Sequence, residues 1–241
     1  MLPRTLEPEV MDTREEAVDY DTMDHSTVNA VFVDDFLAVV AGSELGERLR
    51  GQGELVRILD VGTGTAQIPI AFCHQLSAGQ SSGDDKTLPV QITAIDLAAE
   101  MLAIAERNVV TAKFEESISL EWVDAKAPTY PDGSFDVVFS NSIVHHIPEP
   151  LAALVEMVRV LCSGGLLFVR DLLRPCDAET VETLVSTYAG DENSHQQQMF
   201  RESLHAALTL SEVRELLVSL GNSADCAEQT TDRHWTITAT R

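Results

Sequence analysis

The stretch Val56–Gln67, VRILDVGTGTAQ, constrains the fold more than any other part of the chain. Val56, Ile58, Leu59 and Val61 make a short apolar run, rich in β-branched residues, of the kind that forms a buried strand. The run breaks at Gly62-Thr63-Gly64-Thr65, and Ala66–Leu76 then carries a helical pattern. Strand, glycine turn and helix form the opening half of a nucleotide-binding unit. The glycines let a ligand approach the backbone, and the helix N-terminus offers unpaired N–H donors.

Spacing narrows the ligand. A dinucleotide fingerprint, G-x-G-x-x-G/A, needs a small residue at position 67, where this chain has Gln67. The third small residue is instead Ala66, giving G-x-G-x-A. Asp60 stands just before the first glycine; an anion there repels a pyrophosphate and attracts an ammonium group. No Gly-Lys-Ser/Thr follows, which excludes a P-loop. A nucleoside-like, cationic ligand without phosphate fits, and S-adenosylmethionine (SAM) has these properties. Taken alone, the loop is also compatible with an ordinary tight turn.

The 241 residues suit one domain, or one domain with a small lid, and an apolar content of 44% supplies a substantial core. The net charge of −23 repels DNA, RNA and anionic membranes at long range, although acidity for solubility alone fits the same number. The partner expected is therefore a small molecule. Cys73, Cys162, Cys176 and Cys226 show no C-x-x-C pairing, which points to reduced thiols in the cytoplasm rather than to a disulfide or zinc framework. The stretch MLPRTLEPEVMDTREE has no apolar leader-like run, and no segment reaches transmembrane length.

Residues 1–19 are polar and acidic and read as a loose arm. From Tyr20 to about Ala41, Val28, Val31, Phe32, Phe36, Leu37 and Val40 recur at helical spacing, with Asp24 or Ser26 as cap. This segment, with the turn Gly42–Gly53, is expected either to cap the ligand cleft, bringing Tyr20 and Met23 to the ligand, or to pack only on the sheet. Ser77–Leu88 reads as a loop. Val90–Ile95 reads as a second strand ending at Asp96, placed to accept ribose hydroxyls. The loop accounts for its lying farther from the glycines than the usual ~20 residues. In the helix Ala98–Ala112, Met101 either sandwiches an adenine with Leu97 or belongs to the core. Ile118–Val123 reads as a third strand ending at Asp124-Ala125, a carboxylate and an N–H suited to adenine. Phe135–Phe139 is a fourth, nearly all apolar like a central parallel strand. It leads into Ser140-Asn141-Ser142-Ile143-Val144-His145-His146.

Here the chain resembles the class I SAM-dependent methyltransferases, and within them the small-molecule "type 11" group. The likeness rests on LDVGTGTA (59–66), AIDLAAEML (94–102), VDA (123–125), GSFDVVFSNSIVHHIPEP (133–150) and VRVLCSGGLLFVRD (158–171). It implies a Rossmann-like α/β fold: a seven-stranded, mostly parallel sheet with a final antiparallel strand, helices on both faces and a small helical lid. It implies SAM contacts from Asp60, Gly62, Gly64, Asp96, Asp124 and Ala125, and from the segment after the fourth strand near Asn141, Ser142 and His146; Tyr20, Thr63, Leu97 and Met101 are further candidate contacts from the residue reading. Ala66 departs from the third glycine that many members carry.

Glu149–Leu161 reads as a helix ended by Gly164-Gly165, before a fifth strand Leu166–Val169. Arg170 is expected to contact Asp171 or the acidic cleft wall. Residues 175–209, with helices Ala178–Tyr188 and Ser194–Ala207, read as a helical insertion that the resemblance places over the active site, where Tyr188 and Arg201 are candidate substrate contacts; a solvated helix pair fits the same residues. Leu210–Leu220 is the last helix, capped by Thr209 or Ser211, and Asp225–Thr230 and Trp235–Ala239 form a final antiparallel pair.

Methyl transfer from a sulfonium needs mainly proximity and orientation. A base is required only if the acceptor must lose a proton, and His145, His146 and His205 are the candidates. For each of the first two, a structural or binding role takes precedence over catalysis. Asp124, Asn141 and Asp171 do not match a catechol-type metal pattern, so no metal is assigned. The alternatives are a non-catalytic SAM-binding protein and an NAD(P)-dependent oxidoreductase, the latter opposed by Gln67.

Overall fold

A computed structural model describes residues 2–10, 12–78 and 88–241; most of the expected loop 77–88 lies outside the described residues. The framework is one seven-stranded sheet. Its strands are β1 (Val56–Val61), β2 (Val90–Asp96), β3 (Ile118–Trp122), β4 (Phe135–Asn141), β5 (Leu161–Leu172), β6 (Ala227–Gln229) and β7 (His234–Thr240). Their order is β3-β2-β1-β4-β5-β7-β6. The first five are mutually parallel; β7 runs antiparallel to β5 and to the edge strand β6. Strand order reverses between β1 and β4, the switch point beside which open α/β sheets bind ligands.

Each central strand is buried on both sides because its alternate residues serve different layers. On one face Ile58, Val137, Phe139, Leu166 and Phe168 meet Phe32, Phe36 and Phe72 from α2 (Ser26–Val40) and α4 (Gln67–Ala78). Those phenylalanines pack edge to face, with centroids 5.2–6.0 Å apart. On the other face Leu59, Val61, Val138, Leu167 and Val169 meet α6 (Pro150–Val160), α9 (Leu210–Ser219) and Trp235. The helix α5 (Ala99–Ala112) joins β2 to β3.

Four local expectations are corrected. The segment from Tyr20 is two helices, α1 (Arg14–Thr22) and α2, because Met23–His25 break out of helical geometry. Thr13 and Glu16 close a capping box that starts α1 inside the expected loose arm. The turn 42–53 holds a short helix, α3 (Glu44–Leu49), capped by Ser43. Gly164-Gly165 do not separate α6 from β5: the strand begins at Leu161, and the glycines lie in an irregularity where the β4 register jumps from Phe135 to Val137. The insertion is α7 (Ala178–Tyr188) and α8 (Ser194–Ala206).

Candidate functional site

The parallel strands deliver their C-terminal tips to one edge, and the site is built there. After β1 the chain turns through Gly62 and Gly64, both at positive φ (+74° and +54°). Gly62 is required twice over, by its backbone angle and because a Cβ would run into the Ile143 side chain. The N–H groups of Gly62 and Thr63 both donate to the Ile95 carbonyl, which ties the loop to β2. Ala66 stands at φ +64°, the conformation that a glycine would take without strain.

Asp96, the last residue of β2, completes the loop. Its Oδ2 accepts the Gly64 N–H at 2.8 Å and its Oδ1 accepts the Ala98 N–H at 2.8 Å. Burial nevertheless keeps its pKa above the usual carboxylate value. Past β3, Asp124 Oδ1 accepts the Lys126 N–H at 2.9 Å, and the Lys126 ammonium lies 3.2 Å from the same oxygen. Lys126 also pairs with Glu9 from the N-terminal arm.

Tyr20, Gly62, Gly64, Asp96, Leu97, Asp124, Ala125, Asn141, Ser142 and His146 line one cleft. It encloses about 730 Å³ with its open mouth included. Asp60 and Thr63 face a smaller cavity that shares Tyr20, Gly62 and Asn141 with the cleft. Met101 lines neither; it is buried with Ala17, Ala98 and Ile104, so it belongs to the core. Met23 also lies outside both. Sequence reasoning missed Glu9, Val10 and Lys126, which line the cleft. Lys126 stood beside the VDA stretch, whereas nothing local marks Glu9 or Val10.

The polar chemistry of the two cavities fits a cationic, phosphate-free nucleoside. Asp60 Oδ2 and Asn141 Oδ1 are buried without a hydrogen-bond partner and so lack donors. Burial, with Asp96 adding to it, pushes the Asp60 carboxyl up to about 7, and an ammonium group would supply the missing charge and donors. Gln67, where a dinucleotide loop needs a small residue, is engaged elsewhere: its Oε1 accepts from Asn29 Nδ2 at 3.0 Å.

The three candidate histidines are placed differently. His145 is buried behind the cleft, its Nδ1 2.5 Å from Asp171 Oδ1, while Asp171 Oδ2 accepts its backbone N–H at 3.1 Å. Burial opposes charge on both, yet each partner outweighs it, so His145 sits above and Asp171 below its ordinary pKa. His146 lines the cleft and stays neutral; burial and the adjacent His145 push its pKa down to about 3. His205 lines neither cavity, and its carbonyl accepts the Thr5 N–H at 3.0 Å.

Arg170 does not contact Asp171. Strand alternation sends the two to opposite faces of β5. Arg170 is buried at 2.6 Å from Asp35 Oδ2 on α2 and donates to Thr236 Oγ1 at 3.0 Å. Arg201 forks onto Glu182, and the Tyr188 hydroxyl donates to Asp232. Neither lines the cleft. No residue of α8 does either: Gln196 Nε2 donates to the Asp19 carbonyl at 2.8 Å, so α8 supports α1 from behind. Glu9, Val10 and Tyr20, from the arm and α1, form the cover. Arg4 holds that arm by donating to the carbonyls of His145, Ile147 and Ala206.

Residues 59–169 match a methyltransferase-domain family. The chain is 28% identical to 27-O-demethylrifamycin SV methyltransferase of Amycolatopsis mediterranei, over 83% of this chain and 68% of that relative. It is 31% identical to the ubiquinone biosynthesis O-methyltransferase of Xanthomonas campestris, over 49% of this chain but only 44% of the relative's length. In structure it resembles the plantazolicin methyltransferase BpumL, solved with SAH. The TM-score is 0.63 at 20% identity, over 87% of this chain and 70% of that one, and the likeness is one of fold.

Proposed function

We propose, for a chain that belongs to the SAM-dependent methyltransferases through its segment 59–169, that the cleft at the strand tips methylates a small organic acceptor. When bound, SAM supplies an electrophilic methyl group on a sulfonium. The single observation that carries the reading is the set of three acids, Asp60, Asp96 and Asp124, at successive strand tips around the Gly62–Gly64 bend.

Each residue has a separable task. Asp60 and Asn141 hold the ammonium end, using the two buried acceptors that lack partners. Asp96 accepts hydroxyl donors while it fixes the Gly64 N–H. Leu97, Ala125 and Ile143 give apolar walls for a base, and Asp124 accepts from its exocyclic amine. Tyr20, which lies against Gly64, closes the cleft and keeps water from the transfer. Proximity and orientation provide most of the rate. His145, tied to Asp171, is a positioning residue; His205 lies outside the cleft, and His146 is a neutral polar wall.

The net charge of −23 disfavours a polyanionic acceptor at long range and favours small molecules like those in the relatives' names. Four free cysteines suit a reducing compartment, and no helix among the described residues is long and apolar enough to cross a membrane. We place the enzyme in the cytosol. Calorimetry with SAM, S-adenosylhomocysteine and NAD, followed by radiolabelled methyl transfer to a panel of hydroxyl, amine and carbanion acceptors, tests the reading. Binding of the adenosyl compounds alone, with transfer to at least one acceptor, is expected. NAD binding without SAM binding overturns it.

A further inference from the structure

Beside the cofactor cleft, and sharing His146 with its wall, lies a second cluster of polar side chains. Glu7 comes from the N-terminal arm, and His145 and His146 come from the 3-10 turn after β4. Glu7 Oε1 stands 3.4 Å from His145 Nε2 and 3.3 Å from His146 Nδ1, and the three atoms all lie within 4.8 Å of one another. Glu7 Oε1 and His146 Nδ1 are buried and have no hydrogen-bond partner. The Glu7 side chain is only 9% exposed.

Neither separation is a hydrogen bond, since Glu7 Oε1 and His146 Nδ1 both remain unpartnered. The separations match another geometry. Nitrogen and oxygen ligands about 2.0–2.2 Å from a tetrahedral ion stand about 3.3–3.6 Å apart along each edge, and both Glu7 separations fall in that range. We infer that Glu7, His145 and His146 form a binding site for a divalent transition-metal ion of the zinc class, with one coordination position left for water.

The surroundings support this assignment. The Nδ1 of His145 faces Asp171 Oδ1, which leaves Nε2 to ligate; a carboxylate behind a histidine is the usual outer support of a metal ligand. The other oxygen of Glu7 accepts from Ser203 Oγ at 3.3 Å, which fixes the carboxylate's rotation. Two imidazoles and a single carboxylate oxygen favour zinc, cobalt or nickel over magnesium or calcium, which need mostly oxygen ligands. Because Glu7 belongs to the arm whose next turn carries Glu9 and Val10 over the cleft, the ion clips that arm in place. This site does not depend on the cofactor assignment.

The test uses the full chain stripped with a chelator and free of SAM. Zinc is titrated against a chromophoric competitor, and cobalt is added separately to read the visible absorption of a tetrahedral centre. One equivalent is expected, with a tetrahedral cobalt spectrum. Glu7→Ala, in a segment without regular structure, should lose the spectrum and weaken zinc binding by on the order of 100-fold, and Asp171→Asn should weaken it 10–100-fold. Melting curves of each variant check its fold. If wild type binds no zinc, or if Glu7→Ala binds it as tightly as wild type, the assignment is overturned. Calorimetry of S-adenosylhomocysteine on the stripped protein reads the cofactor site independently.

Discussion

Asp96 Oδ2 accepts the Gly64 N–H at 2.8 Å, so the acid at the tip of β2 and the glycine bend after β1 form one unit. The same carboxylate both shapes the loop and faces the cleft. Asp96→Ala therefore leaves two backbone N–H groups without their acceptor, and hydrogen bonds to charged groups contribute about 1.5–3 kcal/mol each. The expected result is a fall of about 10–100-fold in S-adenosylhomocysteine affinity by calorimetry. Asp96→Asn, which keeps one acceptor oxygen, should fall between the two.

Asp60 gives the site a pH dependence. Its folded value, about 7, lies above the ordinary carboxylate value of 3.8. Its contribution therefore favours the folded, ligand-free protein below pH 3.8 and is lost as pH rises through about 7. Cofactor binding needs the ionised form, so SAM affinity should rise with pH through that value. Asp60→Asn should flatten the profile while raising the melting temperature of the ligand-free protein at pH 8. An unchanged profile in that variant would remove Asp60 from the ammonium subsite.

Gly62→Ala tests the bend itself. The αL conformation costs a non-glycine residue roughly 1–2 kcal/mol, and Ile143 must also move away from the added methyl. For a chain of this size each kcal/mol is worth roughly 2–4 °C, so differential scanning calorimetry should show a drop of about 2–8 °C or more. Because Ile143 lines the cleft, cofactor affinity should fall with it.

Arg4 pins the arm through carbonyls of the 3-10 turn and of α8. Arg4→Ala should raise hydrogen exchange over residues 2–10 and speed cofactor release in stopped flow, with β1 and β4 left protected. Equal exchange in wild type and variant would mean that the arm is held by something other than Arg4.

Arg201 and Tyr188, expected from the sequence to meet the substrate, point to other partners. Arg201→Ala and Tyr188→Phe should each leave kcat/KM within about twofold, the range of ordinary surface substitutions.

Local chemistry made much of the fold legible. The β1 run, the glycine bend, the acids at the tips of β2 and β3 and the helix periodicities depend on neighbours in sequence, and together with the motif resemblance they point to a nucleotide-binding sheet. Capping residues are equally local: of the two candidate caps Thr209 and Ser211, Thr209 takes the position and forms a capping box with Glu212. Met101 was not decided, because helical spacing places a side chain on a face without saying what covers that face. The strand period of two does separate Arg170 from Asp171, a point that the sequence reading passed over.

Only tertiary structure decided what covers the cleft and what lies behind it. Glu7, Glu9 and Val10 sit more than a hundred residues from His145, His146 and Lys126, and they meet only once the arm has wrapped the sheet edge. No periodicity encodes such a meeting. It arises from the carbonyls of one turn accepting from Arg4 and from the burial of one carboxylate beside two imidazoles. The sequence specified the strand tips and hence the adenosine-shaped chemistry; the folded chain alone brought the N-terminal arm, rather than α8, to the wall of the cleft.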